Sequence, residues 1–199
     1  MRAILASVLV LATVPVSEAQ SQTDYYARLG LTFSTDLLRD EVFQPIEARQ
    51  SVAPTLVLGA SLPIAPTYRA GLEGALTSSG YHSREANQNS DLGTIRTGSL
   101  LLGLEGPIWR WLRWRAGAGV IRYWPAERTG AFLQGGSTRF LAGAGVDYRP
   151  PLLTKWDLMV SLRYDFHRFT TDELVTRGFT GSQGVQRVSA SIGLARGRR

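Results

Sequence analysis

The sequence has no cysteine, so no disulfide can staple the fold, and an exported protein of 199 residues built this way needs another source of stability. It has one lysine, Lys155; every other basic residue is arginine, a bias that simple genomic composition accounts for. It has only two histidines, His82 and His167. Beyond the N-terminus it has no run of about 18 apolar residues, so no membrane-spanning helix is expected in the mature chain. No metal site and no cofactor are expected.

The one apolar run stands at the start. Arg2 supplies a positive charge, Ala3 to Val16 an apolar segment, and Ser17-Glu18-Ala19 small residues at the two positions that a signal peptidase reads. Polar Gln20-Ser21-Gln22 follows at once, which distinguishes a cleaved secretory signal from an anchor. Residues 1–19 are therefore read as a signal peptide and 20–199 as one domain. No cysteine follows the apolar segment, which excludes lipoprotein attachment. The formal charge is +6 and stays +6 after cleavage, because one Arg and one Glu leave together. A basic chain can bind nucleic acid or anionic lipid, and the export signal argues against nucleic acid.

From Tyr25 onward the sequence alternates with period two in eight segments. One face carries Tyr25, Ala27, Leu29, Leu31 and Phe33, then Leu56 to Leu62, Tyr68 to Leu76, Leu100 to Leu104, Leu112 to Val120, Phe140 to Tyr148, Trp156 to Phe166 and Val188 to Leu194, taking alternate residues. The other face carries Arg28, Arg69, Glu73, Glu105, Arg113, Arg115, Asp147, Asp157, Arg163, Asp165 and Arg187, among many glycines. Periodicity does not say which face meets which solvent. A soluble sandwich puts the apolar face inside; a membrane barrel puts it outside.

Three features favour the barrel. Connections alternate between short Pro-rich turns (62–66, 106–109, 149–154) and long polar loops (35–50, 78–92, 124–136, 170–184), the pattern of periplasmic turns and outer loops. Aromatics gather at strand ends: Tyr25, Tyr68, Trp109, Trp111, Tyr148 and Trp156 at the periplasmic rim, and Phe33, Tyr123, Trp124, Phe140, Phe166 and Phe169 at the outer rim. Segments such as 156–166 and 110–121 reach the roughly 9–11 residues that a membrane strand needs. Only Pro54 falls inside a proposed strand, as a bulge or a boundary. The expected fold is all-β, an eight-stranded antiparallel up-and-down transmembrane β-barrel.

An eight-stranded barrel has an interior just wide enough for side chains. The inward arginines and acids can pair into a nearly neutral network that plugs it, since unpaired charge there is costly. Ala116-Gly117-Ala118-Gly119-Val120 recurs as Ala142-Gly143-Ala144-Gly145-Val146 on the neighbouring strand. Inward glycines there leave room for long side chains from across the barrel, and no helical pattern follows to make either copy a phosphate loop. His167 is read as a satisfied rim histidine; a catalytic role would want a hydroxyl and a carboxylate beside it, and position 169 is Phe. His82 is expected in a solvated loop. The first, second and fourth long loops carry more acid than base, so the outer tips are not a polyanion-binding surface. Arg110, Arg113, Arg115, Arg196, Arg198 and Arg199 gather toward the periplasmic side, where lipid head groups or plain solvation would meet them.

With its signal peptide, eight alternating strands and no further domain, the chain resembles the OmpA/OmpX-like family of small outer-membrane β-barrels. The resemblance covers the mature chain and rests on pattern. It implies a monomer in the cell outer membrane, surrounded by outer-membrane lipids, and delivered by periplasmic chaperones to the barrel assembly machinery. The last strand departs from the family's aromatic ending: Ala195-Arg196-Gly197-Arg198-Arg199 follows Leu194. Lipid A deacylases among such barrels carry His-x-Ser, which His167-Arg168-Phe169 lacks. The function expected is non-enzymatic, structural or in surface contact; the alternatives are a narrow channel for small solutes and a lipid-acting hydrolase.

Overall fold

The computed structural model describes residues 23–196, except 41–45, 86–87, 129, 153–154, 177 and 179–181. The expected signal peptide, residues 1–19, and the last three residues, 197–199, lie outside the described residues. Ten strands follow in chain order: β1 (Asp24–Ser34), β2 (Leu38–Asp40), β3 (Ile46–Gln50), β4 (Ala53–Pro63), β5 (Arg69–Glu85), β6 (Gln88–Trp109), β7 (Leu112–Pro125), β8 (Thr138–Tyr148), β9 (Trp156–Phe169) and β10 (Gln183–Arg196). Eight of them close a ring in which each antiparallel strand pairs with its neighbour in the chain and β10 returns to β1. All eight alternating segments of the sequence are strands of this ring.

Closure leaves no free edge within the ring, so every ladder group there has a partner without any disulfide. The apolar face is the outer one. Leu29 is 65% exposed, Leu102 68% and Phe140 67%. The other parity points inward and is largely buried. The periplasmic-end aromatics Tyr25, Tyr68, Trp109, Trp111, Tyr148 and Trp156 all stand exposed on the exterior. At the opposite rim Phe33, Trp124, Phe140 and Phe166 do the same, but Tyr123 and Phe169 do not. Those two share the inward parity of Ile121 and His167 and are buried inside, a correction to the outer girdle expected from sequence.

The long connections are also more structured than their polarity suggested. Residues 78–92, expected as a loop, continue β5 and β6 as a hairpin paired from Gly80↔Thr94 to Glu85↔Gln88, with one register shift between Gly80 and His82. Residues 35–50 contain β2 and β3; β3 pairs with the β5 extension and β2 with β3. The result is a four-stranded arm standing on one side of the outer rim. At about 3.3 Å per residue, Ser78 to Glu85 carries it roughly 25 Å along the strand. The third long connection holds a 3-10 turn (Gly130–Phe132) and the fourth a short helix, α1 (Asp172–Thr176). Pro54 is the second residue of β4, opposite Leu31, so it marks a boundary and not a bulge.

Candidate functional site

The barrel interior is the part of the molecule where chemistry-bearing residues converge, and it is layered along its axis. The inner layer, toward the short turns, is ionic. Glu73 on β5 is its centre: it accepts from Arg28 on β1, Arg115 on β7 and Arg163 on β9, and from the Tyr26 hydroxyl at 2.9 Å. Asp147 on β8 takes Arg115 at 2.5 Å, Arg28 at 3.5 Å and the Ser161 hydroxyl at 2.5 Å. Glu105 on β6 takes Arg149 at 3.0 Å, Arg69 at 3.4 Å and Arg115 at 3.6 Å. Arg163 also bonds Asp165 at 2.7 Å, and Arg69 reaches Asp24 at 3.2 Å.

Of the residues singled out in the sequence, Arg28, Arg69, Glu73, Glu105, Arg115, Asp147, Arg163 and Asp165 are thus brought together. Three are not. Arg113 donates to the Thr67 carbonyl at 3.1 Å and has no carboxylate within 4.0 Å among the described residues. Asp157 sits near the β8–β9 turn, in a bridge with Pro151, and no ion pair joins it to the network. Arg187 lies higher up, among hydroxyls.

Tyr26, Arg149 and Asp24 were missed by sequence reasoning. Tyr26 is buried, and three guanidiniums, those of Arg28, Arg115 and Arg149, lie 5.1, 4.8 and 5.7 Å from its ring centre. The signal was present: Tyr25 and Tyr26 are adjacent, so period two forces one of them inward. Arg149 was placed in a turn, although it shares the parity of Asp147. The glycines have a more local purpose than leaving room across the barrel. Tyr26 lies directly opposite Gly59 and Asp165 opposite Gly143. A Cβ on Gly59 would fall 2.1 Å from the Tyr26 ring, and one on Gly143 1.8 Å from Asp165 Oδ1. Each glycine makes space for the side chain on the next strand.

Above the ionic layer Thr32, Thr55, Thr77, Thr97 and Ser189 form a belt of hydroxyls, and above that the lumen is apolar. Ile95, Ile121, Leu141 and Val185 point inward and are fully buried. Phe132, from the 3-10 turn, drops in among Tyr81, Tyr123 and Phe169, with ring centres 5.6, 6.1 and 5.7 Å away. Leu37 and Leu174 from two other connections pack on the same cluster. Hydrogen bonds tie the cap down: Thr171 Oγ1 to the Ala131 carbonyl at 2.6 Å, and Ser137 Oγ and Arg139 Nε to the Thr170 carbonyl, both at 2.9 Å.

His167, expected as a satisfied rim histidine, is buried inside this cap. Its Nε2 is 2.6 Å from the Tyr123 hydroxyl, and its Nδ1 has no partner. No carboxylate stands within ion-pair distance of it among the described residues. His82 is exposed on the arm, 3.6 Å from Asp91. Among the described residues no group of three or more His, Cys, Asp or Glu could hold a metal ion. Among the described residues the interior has a small cavity of about 30 Å³ between the charged cluster and a row of glycines (Gly71, Gly103, Gly117 and Gly143, in register across four strands), and another of about 20 Å³ at the hydroxyl belt. Each is the size of one or two waters.

No protein-family profile matches the sequence, and no curated protein matches it. Solved structures do resemble the fold. Neisserial surface protein A (NspA) superposes with a TM-score of 0.54 at 13% identity, covering 87% of this chain and 96% of that one. The outer membrane protein OprG from Pseudomonas aeruginosa gives 0.51 at 14% identity, covering 88% and 95%. Ail, the attachment invasion locus protein of Yersinia pestis, solved in complex with the heparin analogue sucrose octasulfate, gives 0.51 at 12% identity, covering 87% and 99%. The chain has the fold of the small eight-stranded outer-membrane β-barrels.

Proposed function

We propose that this chain is a non-enzymatic outer-membrane protein: a sealed barrel that anchors in lipid and presents a rigid arm for contact at the cell surface. Residues 1–19 direct export, and 20–199 form the barrel domain, delivered as a monomer by periplasmic chaperones and the barrel assembly machinery. The observation that carries the reading is a lumen filled from both ends, by ion pairs below and by an aromatic cap above, with only water-sized spaces between. A narrow channel would need a continuous wide path, and the spaces on either side of Arg28, Glu73 and Arg163 are only about 30 and 20 Å³. A hydrolase would need an activated nucleophile, and the partner of His167 is a buried phenol.

The exterior suits lipid, with large apolar side chains around the ring and aromatics at both ends. Arg110 lies over Trp111, 4.6 Å from its ring centre, at the inner rim, where an anionic head group would meet it. The arm has a mixed surface: Asp36, Glu47, Arg49, Arg84 and Asp91, with Arg49 paired to Asp36 and Glu47 at 2.8 and 2.9 Å. The Yersinia protein was solved with a polysulfated sugar; the two connections that build the arm here carry more acid than base, which argues against such a polyanion and for a polar protein or glycan partner instead.

The test combines conductance with surface labelling. The natural chain has no cysteine, so a single one at Ser83 or Ser90 on the arm is a unique handle. Intact cells should label there with an impermeant maleimide, and the refolded protein should give no steady conductance in a planar bilayer. Mature protein found soluble in the periplasm would defeat the outer-membrane reading; a large steady conductance would defeat the sealed barrel.

A further inference from the structure

The middle of the lumen has a charge that its neighbours do not match. Arg187 enters from β10 and is only 6% exposed. Its Nη2 donates to Thr97 Oγ1 at 3.2 Å and to Thr77 Oγ1 at 3.5 Å, while its Nε is buried with no hydrogen-bond partner. No carboxylate lies within 4.0 Å of it among the described residues. Asp165 is its register partner on β9, but that carboxylate is turned to Arg163 at 2.7 Å.

The cavity of about 20 Å³ lies against this guanidinium. Its ionic walls are Arg28, Arg163 and Arg187 against Glu73 and Asp165, one positive charge in excess. Arg28, 2% exposed, also has a buried Nε without a partner. The remaining polar wall is hydroxyl: Thr32 is 2.6 Å from Thr55 and 2.8 Å from Ser189, and Thr77 is 2.5 Å from Thr97. In a hydroxyl pair only one proton is used between the two oxygens, so the other can turn into the cavity. A buried cation without a counter-charge is costly, and an arginine with spare donors beside free hydroxyl protons is an anion receptor.

We infer that this chamber is a binding site for one small monovalent anion of halide size, held between Arg187 and the hydroxyl belt. The volume suits an ion little larger than a water and excludes sulfate or phosphate. The ionic layer seals the chamber below and the aromatic cap above, so the ion would be a structural counter-charge and not a permeant one. The inference rests on the interior geometry and holds whatever the barrel's role at the cell surface.

The probe is halide itself. Thermal unfolding of the refolded protein in a zwitterionic detergent would be followed by circular dichroism at one ionic strength, in sodium chloride, sodium bromide or sodium gluconate. Ligand binding to the folded state raises Tm with the logarithm of ligand concentration. Chloride and bromide should each raise Tm by a few degrees over gluconate. Arg187→Gln should abolish that increment, and Thr97→Val, which keeps the cation and removes one donor, should shrink it. Crystals grown in bromide should show an anomalous peak at hydrogen-bonding distance from the Arg187 guanidinium. Equal Tm in all three salts, a halide increment unchanged in Thr97→Val, or a bromide crystal with water only in the chamber would each overturn the proposal. If Arg187→Gln does not fold, Thr97→Val and the anomalous map still decide it.

Discussion

The two ends of the lumen solve one problem by opposite means. Both must fill the inside of a ring whose outside is apolar. The inner end does it with charge: five carboxylates (Asp24, Glu73, Glu105, Asp147, Asp165) interlock with five guanidiniums (Arg28, Arg69, Arg115, Arg149, Arg163). The outer end does it with an ordinary hydrophobic core, mostly strand residues, with Leu37, Ala131, Phe132 and Leu174 from connections folded down onto them. Ion pairs demand geometry and, apart from Arg149 one residue beyond β8, are built on strands, where period two and register hold each atom in place. Apolar packing tolerates irregular backbone, so the cap recruits a 3-10 turn, a five-residue helix and Leu37. The inner end is therefore expected to be brittle and specific, the outer end adaptable.

The sharpest way to break the contrast is Glu73→Ala. It takes one carboxylate partner from each of three guanidiniums and the acceptor of the Tyr26 hydroxyl at once, and removing one member of a buried pair costs about 3–5 kcal/mol. Urea unfolding of the refolded protein should show this, and Glu73→Leu with Arg115→Met should recover part of it, because an apolar replacement of a buried pair is often tolerated. A loss under 1 kcal/mol from Glu73→Ala would mean the network is not what holds the inner end.

At the outer end Phe169→Ala removes a ring that touches both Tyr123 and Phe132. A buried Phe→Ala change costs roughly 3–5 kcal/mol, and here the low end is expected because two connections can settle into the gap. Hydrogen exchange should rise in 130–132 and 170–176 and stay unchanged near Glu73. Equal changes at both ends would show one cooperative interior instead of two.

The walls between the ends supply the control. Val160 faces outward on β9 and Ser161 inward, bonded to Asp147. Val160→Arg should cost roughly 2–4 kcal/mol in a bilayer, against about 0–1 for an arginine placed at the rim. Probes at 158 to 163 should alternate, even positions reporting lipid and odd positions the polar interior. The reverse phase would invert every face assigned to β9.

A smaller effect is expected at Tyr123→Phe, which deletes the hydroxyl bonded to His167 and leaves an imidazole with no partner; about 1–3 kcal/mol should be lost. If Tyr123→Phe matches the parent, that hydrogen bond is incidental to the cap. Smallest of all should be Arg49→Ala on the arm, an exposed side chain whose pairs are screened by water, worth about 0–1 kcal/mol. It should leave the barrel's unfolding unchanged and alter only surface contacts.

What could be read without the structure follows the same division. Period-two alternation is local, so all eight strands and most of the ionic partners were legible from spacing, and loop lengths and aromatic ends turned the apolar face outward: Arg28, Glu73, Arg115 and Asp147 each sit one residue from an apolar outward neighbour. The cap was not legible. Ile95, Ile121, Leu141 and Val185 break the polar-inside rule, and in sequence they look like irregular strand ends. Tyr123 and Phe169 have the composition of a membrane girdle, and only their parity tells otherwise. The arm hid for a further reason: residues 78–92 are nearly all polar, so the alternation that marks a strand is missing, and the inward face shows only at buried Tyr81.

The strands of the ring and the charge of its interior follow from the alternation of neighbouring residues along one strand, and its lipid-facing side from loop lengths and the aromatics at strand ends. Which arginine meets which carboxylate, the descent of Phe132 and Leu174 into the barrel mouth, and the isolation of Arg187 among hydroxyls were decided only by tertiary structure. Those contacts join strands and loops far apart in the chain, and their distances are set by ring closure and register, which no local pattern encodes.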